Sequence, residues 1–238
     1  MRNLCRLVAS SLLIAAAAVA AAAPGASPES GTLESYKGWN VRWGIAASPE
    51  KLASLVGATE AFGVDLLKSK DAATGENLVL GFGEAHGVFA VALESAVAVV
   101  LDYANLKAIS PRVREVRIYE SGPPRWHVYE DIGVNFLGIS VGYRLDAETL
   151  RDDLPGGAVG LRGRLLKSHD GKLYGADSSW YFARVTLAGK EYTYIRTWST
   201  SGLREPGLGV AGIMKLFTAG DLRDQIVSVA RAASALRP

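Results

Sequence analysis

The chain has 238 residues with 26 basic and 24 acidic side chains, three histidines and a single cysteine. A net charge of +2 is too small and too evenly spread for a nucleic-acid binder, which would show a basic excess or stripe. One cysteine allows no internal disulfide and no metal site built on paired thiolates.

That cysteine, Cys5, lies in an amino-terminal segment with the pattern of a secretory signal. Arg2 and Arg6 precede the apolar, alanine-rich run Leu7 to Ala22, and Ala20 and Ala22 supply small residues before Pro24. The run falls short of the roughly 20 residues that a spanning helix needs. Residues 1–22 are therefore expected to be a cleaved signal peptide, and the protein to be periplasmic or secreted. Removal of Arg2 and Arg6 leaves 24 basic against 24 acidic residues and no cysteine. The remainder is long enough for one domain with a sizeable core. Residues 23–37, rich in Pro, Gly and Ser, read as a flexible lead-in.

Residues 38–87 form an amino-terminal stretch whose structure the sequence leaves open. Ser48-Pro49-Glu50 is a helix start, with a hydroxyl cap, Pro at the first helical position and an acid near the positive end of the helix dipole. Leu52, Leu55 and Val56 then share a face, and Gly57 and Gly63 limit the helix. Asp71 to Asn77 reads as a loop and Leu78 to Phe82 as a short strand.

From Val88 to Glu120 the pattern is a strand, a short helix leading to Asp102-Tyr103, a second short helix stopped by Pro111, and a strand. Arg125 to Ile132 and Val134 to Leu145 read as strands separated by Gly133, a tight hairpin. Leu137, Ile139, Val141 and Tyr143 alternate with small residues at period two. Val159 to Lys167 and Tyr174 to Leu187 are joined by the turn His169-Asp170-Gly171. Glu191 to Thr200 follows Ala188-Gly189-Lys190. The chain closes in helix: Val210, Ile213, Met214 and Phe217 make one apolar stripe. Gly220 is expected to interrupt it, with Thr218 and Asp221 recapping a second helix whose stripe is Leu222, Ile226, Val229 and Ala233. Strands in succession with helices at both ends give an α+β domain on an antiparallel sheet.

The run LESAVAVVLDYANLKAISPRV, with the element order that follows it, resembles the START-like and polyketide-cyclase-like (SRPBCC) superfamily. The resemblance covers Val88 to Pro238. It implies a helix-grip fold, in which a curved antiparallel sheet wraps a long C-terminal helix around an apolar cavity. It also implies a hydrophobic ligand such as a lipid, quinone or sterol-like molecule, with the last helix as a lid and transient membrane contact to exchange the cargo. No cofactor or metal is implied, and the oligomeric state is left open.

A cavity of that kind needs apolar walls with a few fixed polar groups. Trp126, Tyr143, Tyr181, Tyr194, Arg196 and Trp198, on strands, and Ile213, Met214 and Phe217, on the last helix, are the ligand-binding candidates. Tyr192, Tyr194, Arg196 and Trp198 share a strand face that either clamps a polar head group or forms the outer surface, with Arg196 stacked on its neighbours. His127, Arg196 and Tyr194 are candidates for proton transfer or enolate stabilisation, should the protein instead be a cyclase or aromatase acting on a polyketide-like substrate. Asp102 reads as a carboxylate that orders the helix junction. The three histidines lack ligand spacing, so no metal site is expected. A third possibility is an interaction module whose interior its own side chains fill.

Overall fold

A computed structural model describes residues 42–110, 112–136, 139–206 and 210–236; side chains 108, 134–140 and 210–218 are also outside the described part. Residues 1–22 and 23–37, read above as a signal peptide and a flexible lead-in, fall outside the described residues. The elements run α1 (Pro49–Ser54), β1 (Thr59–Lys70), β2 (Asn77–Phe89), α2 (Leu93–Leu101), a 3₁₀ turn (Tyr103–Asn105) and α3 (Leu106–Ile109). Then come β3 (Val113–Glu120), β4 (Arg125–Phe136), β5 (Ile139–Leu154), β6 (Ala158–Ser168), β7 (Leu173–Leu187), β8 (Lys190–Arg204) and α4 (Val210–Ala235).

The strands form one eight-stranded antiparallel sheet in the order β1-β2-β8-β7-β6-β5-β4-β3, open at β1 and β3. The Val88 to Glu120 reading matches in element type and order, and so do the strand pair through His169-Gly171 and the strand after Gly189. Ala188 and Gly189 both have positive φ, 48° and 75°, the two-residue turn geometry that follows the twist of a hairpin. Asp102 caps the helix junction: its carboxylate accepts the Asn105 backbone N–H at 3.3 Å and the Asn105 amide at 2.7 Å.

Three readings are corrected. The boundary at Val88 falls inside β2, and the stretch 59–87 supplies β1 and most of β2, hydrogen-bonded into the same sheet. Gly57 and Gly63 hid β1, because a positive φ at Gly63 and a register shift between Phe62 and Asp65 break its alternation. Gly133 is no turn. It lies within β4 opposite Gly142, and the space its missing side chain leaves is taken by the Arg114 guanidinium. The β4–β5 connection comes after Phe136 instead. Lastly, α4 runs unbroken through Gly220, because the Asp221 carboxylate binds Arg112 rather than capping a new helix.

The sheet is covered on both faces. On the inner face α4 packs across β1, β2 and β8 and against α2, while α3 packs on β3. Leu222, Ile226, Val229 and Ala233 join Leu93, Val97, Ala85, Leu161, Phe182 and Ile195 in one buried cluster. A second inner cluster holds Tyr103, Leu106, Trp126, Val128, Ile132, Tyr143 and Leu145. On the outer face, Leu52 of α1 and Leu55 just after it pack with Val88, Val185 and Tyr194 in one buried cluster.

Arg112, one residue before β3, forms a bidentate pair with Asp221 of α4 at 3.1 and 3.2 Å, and Asp221 is 1% exposed. The helix thus packs on one edge strand and is tied to the start of the other. Removing one member of such a pair leaves a buried charge unmatched. Asp221→Ala is expected to lower the unfolding free energy by roughly 3–5 kcal/mol in chemical denaturation.

Candidate functional site: the inner face of the sheet

Paired residues of an antiparallel ladder project to the same face, so the register identifies what lines the interior. One row runs Gly83, Ser199, Ser178, Gly163, Thr149 and Trp126 across β2, β8, β7, β6, β5 and β4. The neighbouring row holds Gly81, Ser201 and Ala176. Period-two placement of small side chains on successive strands keeps the middle of this face low, so that helices laid over it leave space.

A cavity of about 60 Å³ lies there, lined by Tyr103, Leu106, Thr149, Leu161, Ser178 and Trp180, with Gln225 and Val229 of α4 completing it. Its walls are apolar except for a few hydroxyls and one amide. The Tyr103 hydroxyl is 2.7 Å from Thr149 Oγ1. A side chain at Gly163 would meet Ser178 Oγ at 2.6 Å, so glycine is what allows the floor to close up there.

Glu130 is the chemically distinctive residue of this interior. It shares the inner face of β4 with Trp126, Val128 and Ile132 and is paired with Leu145 and Val116. The residue is 0% exposed, and neither carboxylate oxygen has a hydrogen-bond partner. Burial pushes its pKa up to about 8, so at neutral pH it is a neutral acid with an O–H to donate. Burial, together with the nearby Glu130, also raises the Tyr103 hydroxyl above the usual tyrosine range. Ser199 Oγ on the same face is likewise buried without a partner.

The sequence candidates divide between the two faces. Trp126 and Tyr143 lie on the inner face, buried in the cluster beside Glu130. Ile213, Met214 and Phe217 fall in α4, but their side chains lie outside the described residues. Tyr181, Tyr194, Arg196 and Trp198 are on the outer face, opposite Ile195, Thr197 and Phe182, so their selection as cavity wall is corrected. The amino-terminal segment covers them. The Ala46 N–H donates to the Tyr194 hydroxyl at 3.1 Å, and that hydroxyl is 3.0 Å from His86 Nδ1. Arg196 Nε donates to Glu84 at 2.8 Å, and one of its terminal nitrogens to the Gly44 carbonyl at 3.1 Å. The Trp43 ring lies against Gly160.

The catalytic candidates are not brought together. His127 is on the outer face of β4 with its ring 4.8 Å from that of Tyr119, and three strands separate β4 from β8, which carries Tyr194 and Arg196. Among the described residues no group of three or more histidines and carboxylates is arranged to hold a metal. The sequence reading missed Tyr103, Thr149 and Gln225 as lining groups, and it missed Glu130, which is buried on the same face outside the cavity lining. Glu130 was legible in part, since it alternates in phase with Trp126 and Val128 and is the charged member of an otherwise apolar face.

No protein-family model matches this sequence, and no curated protein matches it. Solved structures do. A STAR-related lipid transfer protein from Xanthomonas axonopodis superposes with a TM-score of 0.52 at 14% identity, over 73% of this chain and 99% of that one. The lipid transfer and protein localization domain of human StarD13 gives 0.48 at 9% identity, over 71% and 88%. A Zhui aromatase/cyclase from a Streptomyces species gives 0.40 at 14%, over 66% and 92%.

Because burial raises the Glu130 pKa on folding, the chain loses stability as the pH rises between the unfolded and folded values. The folded chain keeps a proton on Glu130 up to about pH 8, whereas the unfolded chain releases it near 4.5. This contribution is full below pH 4.5 and is lost as the pH rises through 8, at about 1.4 kcal/mol per unit in between. Glu130→Gln is expected to flatten the stability profile over that window, measured as the difference from the parent chain in urea titrations at several pH values. The Xanthomonas superposition shows that the chain has the START-like fold.

Proposed function

We propose that this protein binds a hydrophobic small molecule, a lipid, quinone or sterol-like compound, between the inner face of the sheet and α4. The observation that carries the reading is the row of small residues from Gly83 to Thr149, which leaves an apolar cavity beneath two helices. The lipid-transfer description of the Xanthomonas structure agrees with it.

In this reading the sheet curls around α4 as a grip, with the Arg112–Asp221 pair holding the helix to the far edge. The described cavity of about 60 Å³ is well below the roughly 300–1,000 Å³ of ordinary ligand sites. For a lipid-sized ligand to fit in this cavity, α4 or the α2–α3 corner has to move outward. The driving force is apolar burial: about 300 Å² of ligand surface removed from water gains some 7 kcal/mol before the costs of association. α4 acts as the lid, and opening it at a membrane surface would let cargo pass without crossing water. The protein works outside the cytoplasm after removal of residues 1–22. Among the described residues no helix is long and apolar enough to span a bilayer.

The test is native mass spectrometry of protein purified without detergent, followed by titration with a fluorescent fatty acyl probe. The expected result is a co-purified apolar species or saturable probe binding. Ser178→Leu places side-chain volume in the cavity and is expected to keep or raise the melting temperature while weakening the probe by about tenfold or more. A parent chain that carries nothing and binds no apolar probe would favour an interior filled by its own side chains.

A further inference from the structure

Buried polar groups in folded proteins are nearly always hydrogen-bonded, and each exception calls for an explanation. Glu130 is such an exception. Its carboxyl has no partner, and what surrounds it is apolar: Val128 and Ile132 on its own strand, Leu145 on β5 and Val116 on β3. A leucine at this position would pack without the cost of taking a carboxyl out of water. An arginine would need only to come from a neighbouring strand, and among the described residues none is placed against it: Arg112 is engaged by Asp221, and Arg114 and Arg117 are exposed. Glu130 lies outside the lining of the described cavity, but the Tyr103 hydroxyl, which lines it, is close enough to sense Glu130 electrostatically, and outward movement of the covering helices would extend the space toward the Glu130 carboxyl.

We propose that Glu130 is the polar anchor of the interior site, donating a hydrogen bond from its protonated carboxyl to an oxygen at one end of an otherwise apolar ligand. The assignment rests on the binding function proposed above and narrows its ligand class to molecules ending in a carbonyl or another accepting oxygen. A ligand carboxylate is disfavoured, because Glu130 offers no positive charge. Tyr103 sits where it can add a second contact. If Thr149 donates to the Tyr103 oxygen, the Tyr103 hydroxyl proton is free for the ligand. The neutral acid thus supplies orientation, while the apolar walls supply affinity.

The experiment compares two probes of similar size, 2-tridecanone and tridecane, against the parent chain, Glu130→Gln and Glu130→Leu. Binding is followed by native mass spectrometry, and the carbonyl stretch of bound ketone by infrared spectroscopy. The ketone is expected to bind the parent chain with its stretch shifted down from the value in hexane. Glu130→Leu is expected to weaken the ketone by about tenfold, to abolish the shift and to leave tridecane unchanged. Glu130→Gln, whose amide N–H still donates, is expected to keep ketone affinity within about threefold. Should Glu130→Leu fail to fold, the Gln variant and the infrared shift of the parent complex decide the matter. Equal ketone affinity in the parent and Leu chains, or an unshifted carbonyl in the parent complex, overturns the anchor while the binding function stands. Failure of both probes to bind the parent chain removes that function, and the anchor with it.

Discussion

An open sheet of eight strands exposes an inner face that water would have to cover, and α4 is what covers it. One interaction fixes where that helix lies. Its Leu222-to-Ala233 stripe packs over the β1, β2 and β8 side, and the Arg112–Asp221 pair reaches the start of β3. Apolar burial alone sets how deeply a helix sits and leaves its position along the sheet weakly determined, because it has no direction. A bidentate pair with one member fully buried has both direction and a high cost of breaking.

The two faces of the sheet solve opposite problems. On the outer face large side chains, Tyr181, Tyr194 and Trp198, are packed down by residues 42–55 and need partners for their polar tips. For Tyr194 those partners are the Ala46 N–H and His86 Nδ1, both within hydrogen-bond distance of its hydroxyl. Burial holds the His86 pKa below its ordinary value, in keeping with a neutral ring that can accept at Nδ1. On the inner face the side chains are small at the centre and large at the margins, and two polar groups, Glu130 and Ser199, are left unpartnered. A face built only for stability would reverse that choice, filling the centre and pairing its polar atoms.

Much of this was legible from residue order. The Val88-to-Glu120 pattern, the turns at His169-Gly171 and Ala188-Gly189 and the Leu222 stripe each rest on local rules of periodicity and turn geometry, and the structure keeps them. What the sequence hid depends on contacts between distant parts. Nothing local to Glu191-to-Thr200 says which of its two faces meets α4, because both are buried, one under the helix and the other under the amino-terminal segment. Large aromatics drew the site to the outer face, whereas the interior is marked by what is small. Asp221 reads as a cap until Arg112, more than a hundred positions away, is brought against it. Gly133 reads as a turn until Arg114 is seen lying in its place.

The central claim is a location: apolar cargo sits between the inner face and α4. Intermolecular nuclear Overhauser contacts from a bound acyl probe test it most directly. The account predicts contacts from the probe's methylene protons to Leu161, Tyr103 and Val229, with none to Tyr181 or Tyr192. Contacts confined to the outer-face aromatics, or a bound probe with none to the inner-face groups, would contradict it.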